Sequence, residues 1–141
     1  MINLDRFIAA QSEDYQMALA EIVKGRKSSN WMWYVFPQFK KLSKSSTTVF
    51  YAIKSREEAI AFLHHEVLGK RLLEISKALL EHKNKKVVAI FGKPDDMKIK
   101  SSMTLFSLVS DGESIFQDVL DQFFDGQMDE SVKELLNSEV L

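Results

Sequence analysis

The chain has 141 residues and a net charge of −1, from 19 Lys and Arg against 20 Asp and Glu. This balance recommends neither nucleic acid nor an anionic membrane as a partner. Because it has no cysteine, it can form no disulfide, thiolate metal site or cysteine nucleophile, which suits a cytoplasmic location. No apolar run approaches the roughly 20 residues of a membrane span and no signal peptide is read, so one soluble domain over residues 1–141 is expected.

Two short helices are predicted ahead of residue 26. Asn3 can cap the first, and Ser12 or Asp14 can begin the second, because short polar side chains accept hydrogen bonds from the first free N–H groups of a helix. Apolar residues then recur at helical spacing. Gly25 is typical of the position just beyond a helix end, which favours a left-handed backbone.

Residues 26–39 form the most informative segment, because they hold both tryptophans and one of the two prolines without a helical or strand period. Pro37 bars a regular helix from the interior of this segment. An irregular aromatic loop is therefore predicted near residues 26–39. The polar stretch from Lys40 to Ser46 predicts a second loop.

The middle of the chain predicts helices and one candidate strand. Ser46 can cap a turn or short helix, and Ser55 with Glu58 forms a capping-box pattern. Residues 67–81 carry the strongest amphipathic stripe of the chain. Residues 86–91 are apolar and rich in Val and Ile, which favours a strand, but six residues cannot decide between a strand and a buried helix.

Three further helices are predicted to begin at Asp95, at Glu113 or Ser114, and at Asp129. With only five glycines and two prolines in the chain, helices have few interruptions. The predicted fold class is all-α: a single compact domain of about seven short helices, with one candidate strand that lacks a partner.

Two segments carry a resemblance to a known family. They are Gly25–Gln38, with its Trp-Met-Trp-Tyr-Val-Phe-Pro run, and Phe91–Phe106, with Asp-Asp-Met-Lys and Ser-Ser-Met-Thr-Leu-Phe. The chain resembles, from about Leu4 to Phe124, the uncharacterised domain of unknown function 1810, found mostly in bacteria. The resemblance implies a single, mainly helical domain and no established activity. Some members carry an automatic calpastatin label, which has little weight because such an inhibitor is a disordered repeat chain.

The sequence departs from the family pattern at three places. The family usually has His where this chain has Asn30, a Gly-Leu-Gly run where it has residues 41–43, and His-Pro where it has His65-Glu66. If the family used that first histidine for proton transfer, this member could not.

The first motif admits two interpretations. The large faces of Trp31 and Trp33 could stack on a base or sugar, or they could pack the core beneath a loop. One of the two is expected to be partly exposed. Arg26 and Lys27 could bind a phosphate, or they could form a solvated basic pair favoured by the dipole at a helix C-terminus.

The second motif crowds carboxylates, ammonium groups and hydroxyls into one helix. Proline followed by carboxylates is a good helix start and accounts for the first acidic residue. The hydroxyls could hold an anion or sugar, or they could bond to carbonyls one turn back at close helix contacts. The polar residues are Asp95, Asp96, Lys98, Ser101, Ser102 and Thr104.

No pattern of metal or nucleophile chemistry is present. His64 and His65 diverge on a helix and His82 stands apart, so no zinc site is predicted. No Gly-Xaa-Ser-Xaa-Gly elbow or Gly-rich phosphate loop occurs. The sequence therefore predicts no metal and no cofactor, and it assigns no catalytic residue.

Two functional hypotheses follow. In the first, the two motifs touch and bind a small phosphorylated or nucleotide/ADP-ribose-like ligand in a pocket between the Trp31–Gln38 loop and the Asp95–Thr104 helix. In the second, the chain is a protein-interaction domain or homodimer without catalytic activity, and its aromatic surface is the interface. The predicted ligand-binding residues are Arg26, Lys27, Trp31, Trp33, Gln38, Asp95, Asp96, Lys98, Ser101, Ser102 and Thr104.

Overall fold

The structure is a computed structural model that describes residues 2–40, 45–113 and 115–139. Within these ranges it has nine α-helices, no strand, and one isolated parallel bridge between Phe39 and Ile53. The all-α prediction is confirmed, with nine helices in place of about seven. None of the described helices is both long and apolar enough to cross a bilayer. The helices are α1 Asp5–Lys24, α2 Met32–Val35, α3 Ser46–Tyr51, α4 Arg56–His64, α5 Leu68–Leu80, α6 Val87–Phe91, α7 Asp95–Val109, α8 Ile115–Phe124 and α9 Glu130–Ser138.

Residues 5–24 form one long helix, so the prediction of two helices here was wrong. Ser12 does not cap a helix; its hydroxyl donates to the Ala9 carbonyl at 2.8 Å inside α1. That bond lets a residue typical of caps sit within a helix. The prediction that Asn3 caps α1 was wrong, because the cap position is Leu4, which has no side-chain bond; Asn3 accepts from the Asp5 N–H at 2.8 Å from one residue further out. Gly25 ends α1 with φ 89°, as predicted.

The apolar stretch at residues 86–91 forms the helix α6, which overturns the preference for a strand. Val87 and Val88 favour strands only where a neighbouring strand can take up their backbone hydrogen bonds. No strand occurs among the described residues, whereas a helix bonds its own backbone. The aromatic segment is also more regular than predicted, because α2 forms one turn within it ahead of Pro37.

Two of the predicted helix starts are confirmed by side-chain bonds. The Ser55 side chain accepts from the Glu58 N–H at 3.0 Å, while the Glu58 carboxylate reaches back to the Lys54 N–H at 2.9 Å. The Asp129 side chain accepts from the N–H groups of Ser131 and Val132.

Other predicted starts shift by one residue or change role. Ser45, rather than Ser46, caps α3. Asp95 was predicted to cap α7, but the cap position is Pro94, which has no side-chain bond, and Asp95 lies in the first turn. The start predicted at Ser114 and residues 41–44 of the predicted polar loop lie outside the described residues.

α7 lies at the centre of the fold. It packs against α4, α6, α8 and α9, while α5 packs against α1, α4 and α8. Because neighbours surround it, polar as well as apolar residues of α7 are buried. The largest fully buried side chains include Trp31, Tyr15, Phe7, Phe36, Phe39, Phe62, Phe106 and Phe116. Residues of the aromatic segment therefore belong to the same core as α7.

A single arginine ties the first helix to the middle of the chain. The Arg6 guanidinium donates to the carbonyls of Phe50, Ala52 and Asn3 at 2.8, 2.9 and 3.1 Å. It also donates to both carboxylate oxygens of Glu58, at 2.9 and 3.2 Å. A guanidinium has five N–H groups, so all of them are satisfied. These contacts, which we call the Arg6–Glu58 clasp, hold α1 against α3 and α4.

The helices α4 and α5 meet at a glycine. A Cβ atom added to Gly69 would lie 2.0 Å from the Leu63 carbonyl oxygen. Only glycine fits at so close an approach of two backbones. The close turn between α4 and α5 therefore depends on this residue.

Candidate functional site

The two motifs meet in space, although about 60 residues separate them. The Lys27 Nζ atom lies 2.8 Å from Asp95 Oδ2, and the Ser102 hydroxyl donates to the Pro37 carbonyl at 2.8 Å. The Lys27 N–H also donates to the Ile90 carbonyl at 2.7 Å. The prediction that the motifs touch is confirmed.

The two tryptophans have different environments. Trp31 is fully buried and its Nε1–H donates to Glu21 Oε1 at 2.9 Å. Trp33 is only partly buried and packs at the edge of the core. Core packing therefore accounts for Trp31, while Trp33 keeps part of its ring accessible.

Glu21 organises the loop that precedes Trp31, and sequence reasoning missed it. Its carboxylate accepts from the N–H groups of Ser28 and Ser29 at 2.8 and 3.1 Å, and from the Ser29 hydroxyl at 2.6 Å. Burial raises the pKa of this carboxyl, but the hydrogen bonds from Ser29, Ser28 and Trp31 outweigh burial and lower the pKa to about 2. No signal in the sequence pointed to it, because a Glu in the last turns of a helix is ordinary.

Three charged residues connect the motifs electrostatically. Asp95 contacts Lys27 through Oδ2 and Lys98 through Oδ1, at 2.8 and 3.3 Å. The Lys27 side chain is 8% exposed and Lys98 is 30% exposed. The ammonium of Lys27 lies 5.2 Å from the Trp31 ring centroid, and that of Lys98 lies 5.9 Å from Trp33. Because the ammonium groups of Lys27 and Lys98 share the carboxylate of Asp95, the three residues together have a net positive charge. Lys98 is the more exposed of the two lysines, so this charge lies nearest the solvent at Lys98.

A narrow cleft lies beside Trp33. Gln38, Thr48 and Tyr51 line it together with Trp33, and its volume is about 30 Å³. That space holds about one water molecule. The Gln38 amide makes no side-chain hydrogen bond within the described part of the chain. The cleft can therefore take a small polar group but not a ring.

The hydroxyls of the second motif are buried and bonded to protein groups. Ser101 donates to the Asp129 carboxylate. The Thr104 hydroxyl donates to the Lys100 carbonyl at 2.7 Å and accepts from the Asp129 N–H at 2.9 Å. The Ser102 hydroxyl donates to the Pro37 carbonyl. Together these side chains connect α7 to the aromatic segment and to the start of α9.

The remaining predicted site residues, Asp96 and Arg26, form no hydrogen bond or ion pair with each other. Asp96 is buried, and its carboxylate accepts from the Met97 N–H at 2.9 Å and lies 3.4 Å from Lys93 Nζ. Arg26 is exposed, and its side chain has no partner among residues 2–40, 45–113 and 115–139. Asn30 is exposed at the edge of the same segment.

Two of the three histidines, His82 and His65, have structural contacts. A ring nitrogen of His82 lies 2.6 Å from the Ile22 carbonyl near the end of α1. His65 Nδ1 accepts from the N–H groups of Val67 and Leu68, where α5 begins. Over the described ranges, no three His, Asp or Glu side chains are grouped as metal ligands would be.

Comparison with known proteins identifies relatives without an assigned activity. No curated protein matches the chain. The crystal structure of the conserved hypothetical protein Rv1873 from Mycobacterium tuberculosis is similar, with a TM-score of 0.92 and 40% identity over 95% of this chain and 96% of that one. The family model described as "Protein of unknown function (DUF1810)" matches residues 1–136. The chain therefore belongs to the DUF1810 family, as its two motifs predicted.

Proposed function

We propose that the domain binds a small phosphorylated, nucleotide-like ligand on the surface formed by Trp33, Gln38 and Lys98. The observation that carries this proposal is the pairing of a partly exposed indole with a partly exposed ammonium 5.9 Å from its centroid. Stacking on an aromatic ring and charge opposite a phosphate are the two contacts that a nucleotide offers.

Trp33 stands apart from its neighbours in the sequence. Trp31, Met32, Val35 and Phe36 are buried at 2% exposure or less, so their size is explained by core packing. Trp33 keeps part of its surface in water although burial would stabilise it. A ring that stacks on Trp33 would remove that surface from water.

The charge at the site suits an anion. Asp95 is held at 2.8 Å by Lys27, which lets Lys98, at 3.3 Å, exchange its contact for a phosphate. The exposed guanidinium of Arg26, one residue from Lys27, is a second cation that the fold leaves without a partner in the described chain. A bidentate Arg contact with phosphate is stronger than a Lys point charge.

The size of the cleft decides how the ligand would lie. Because about 30 Å³ beside Trp33 admits no ring, the base would stack on the outer surface of the indole. A sugar hydroxyl would reach Gln38 within the cleft, where the amide has unused hydrogen-bonding capacity. The hydroxyls of Ser101, Ser102 and Thr104 would then act by positioning α7 beneath the site.

Calorimetry against nucleotides, ADP-ribose and sugar phosphates tests the proposal. We expect Trp33→Ala and Lys98→Met each to weaken binding by about tenfold, equivalent to about 1.4 kcal/mol. Arg26→Lys should also weaken it although the charge is kept. Lys86→Met, at an exposed lysine on the chain leading into α6, is the matched control and should bind like the wild type. If no ligand of the panel binds more tightly than about 1 mM, the proposal is overturned.

A further inference from the structure

The outer surface of α5 carries an apolar groove that the site above does not use. Leu19 and Val23 of α1 line it beside Leu73 and Ala78 of α5, and its volume is about 850 Å³. Val23 is 62% exposed. An exposed branched apolar side chain beside a groove is typical of an interaction surface.

Four charged residues run along the same surface. Lys70, Glu74, Lys77 and Glu81 line the groove. Their spacing of four, three and four residues places them in one line along the helix. Neighbours in this line have opposite charges and lie within reach of one another. Even so, no ion pair joins any two of them, and Glu74 instead accepts from the Tyr15 hydroxyl.

The order of these charges is self-complementary. Read from Lys70 to Glu81 it is plus, minus, plus, minus, and in the reverse direction every sign is opposite. We propose that a second copy of the chain docks here, with its α5 antiparallel to the first, as a two-fold symmetric dimer. Lys70 then faces Glu81 of the other copy, and Glu74 faces Lys77, each pair occurring twice by symmetry.

The apolar residues beside the charges follow the same two-fold symmetry. Leu73 and Ala78 lie on opposite flanks of the charged line, so the axis brings each flank beside the same flank of the other copy. A parallel arrangement would place like charges opposite one another and is disfavoured. The contact along α5 is about 17 Å long at 1.5 Å per residue. So short a contact is at the small end of stable interfaces, so the dimer depends on concentration and weakens with salt.

Sedimentation of the whole chain, over a range of concentrations at low salt, tests the dimer. We expect the wild type to dimerise, and Lys70→Glu and Glu81→Lys each to weaken dimerisation at least about tenfold, because each change places two like-charged pairs across the axis. Both variants keep α5 intact, since an acid in its first turn and a base at its end suit the helix dipole. Lys86→Glu, outside the groove, is the control and should dimerise like the wild type.

Mixing the two variants separates this register from any other. A Lys70→Glu chain has two acidic ends and a Glu81→Lys chain has two basic ends, so only the mixed pair is complementary at both ends. We expect the mixture to restore dimers that neither variant forms alone. A wild type that stays monomeric overturns the proposal, and so does a dimer that is insensitive to both changes. A mixture that stays monomeric overturns the register and with it the proposal.

Discussion

At Glu21, one carboxylate satisfies four donors of the loop that leads into Trp31. Its pKa is 4.5 in an unfolded chain and about 2 in the fold, because the hydrogen bonds outweigh the effect of burial. A lowered pKa means that the charged form stabilises the fold. This contribution is complete above pH 4.5 and is lost as the pH falls from 4.5 towards 2.

Replacing Glu21 with Gln should therefore change stability in a pH-dependent way. We expect a loss of about 1–2 kcal/mol in the free energy of unfolding at neutral pH, because hydrogen bonds to a charged group are replaced by weaker ones. The difference between wild type and variant should shrink as the pH falls through the window from 4.5 to about 2. Urea unfolding of both proteins across this range measures it. A difference that stays constant with pH would contradict the role of the charge.

The two tryptophans should differ when replaced by alanine. Trp31 is fully buried, so Trp31→Ala should cost about 3–5 kcal/mol. Trp33→Ala should cost under about 1 kcal/mol, because part of its ring is already in water. Chemical denaturation of both variants measures the difference. Equal and large losses would mean that the whole aromatic segment is core and would remove the physical basis for a site at Trp33.

At Gly69 the helices α4 and α5 approach closely, and replacing this residue tests that approach. Gly69→Ala should cost about 3 kcal/mol or more, since the new Cβ would meet the Leu63 carbonyl of the backbone and not a flexible side chain. Gly112→Ala is the matched control: nothing lies within 4 Å of its Cβ position, although its φ is 87°. The control should cost only about 1–2 kcal/mol for the left-handed backbone. Similar losses at both sites in thermal unfolding would show that α4 and α5 can separate.

Elements with a clear period or a clear cap were predictable from the sequence. The stripe of residues 67–81 gave α5, and Asp129 gave the start of α9, because these signals are local. The six apolar residues at 86–91 were not predictable, since the choice between strand and helix depends on whether another strand is present. The division of α1 was wrong because Ser12 can bond within a helix as well as cap one.

The candidate site was predictable in outline and not in detail. Unusual residues in two motifs were enough to predict that the motifs meet. What each side chain does depends on neighbours that are distant in sequence: Ser102 contacts a carbonyl 65 residues away, and Ser101 contacts Asp129. Spacing on a helix shows which side chains share a face, but it does not show what covers that face.

At the scale of the whole molecule, the Arg6–Glu58 clasp joins parts of the chain 52 residues apart. The two side chains are 14% and 10% exposed, so removal of either leaves the other buried without its partner. Arg6→Met should cost about 3–5 kcal/mol. The double variant Arg6→Met/Glu58→Gln should cost less than the sum of the single changes, by at least about 1 kcal/mol.

A double-mutant cycle by urea unfolding measures this coupling. The exposed pair Lys133–Glu130, 40% and 74% exposed, is the matched control, and its coupling should be under about 0.5 kcal/mol. Additive losses at Arg6 and Glu58 would show that the arginine stabilises the fold through its carbonyl contacts alone.

The different environments of the two indoles also make the chain a natural fluorescent probe. It has only two tryptophans, and they differ in exposure and in the bonding of Nε1. Trp31 should emit at shorter wavelength and resist soluble quenchers, whereas Trp33 should respond to them. In a Trp33→Phe protein the remaining emission reports unfolding of the core, and its difference from the wild type isolates the signal of Trp33. Ligand titrations at Trp33 can therefore be followed without any label, in a protein whose other emitter serves as the internal reference.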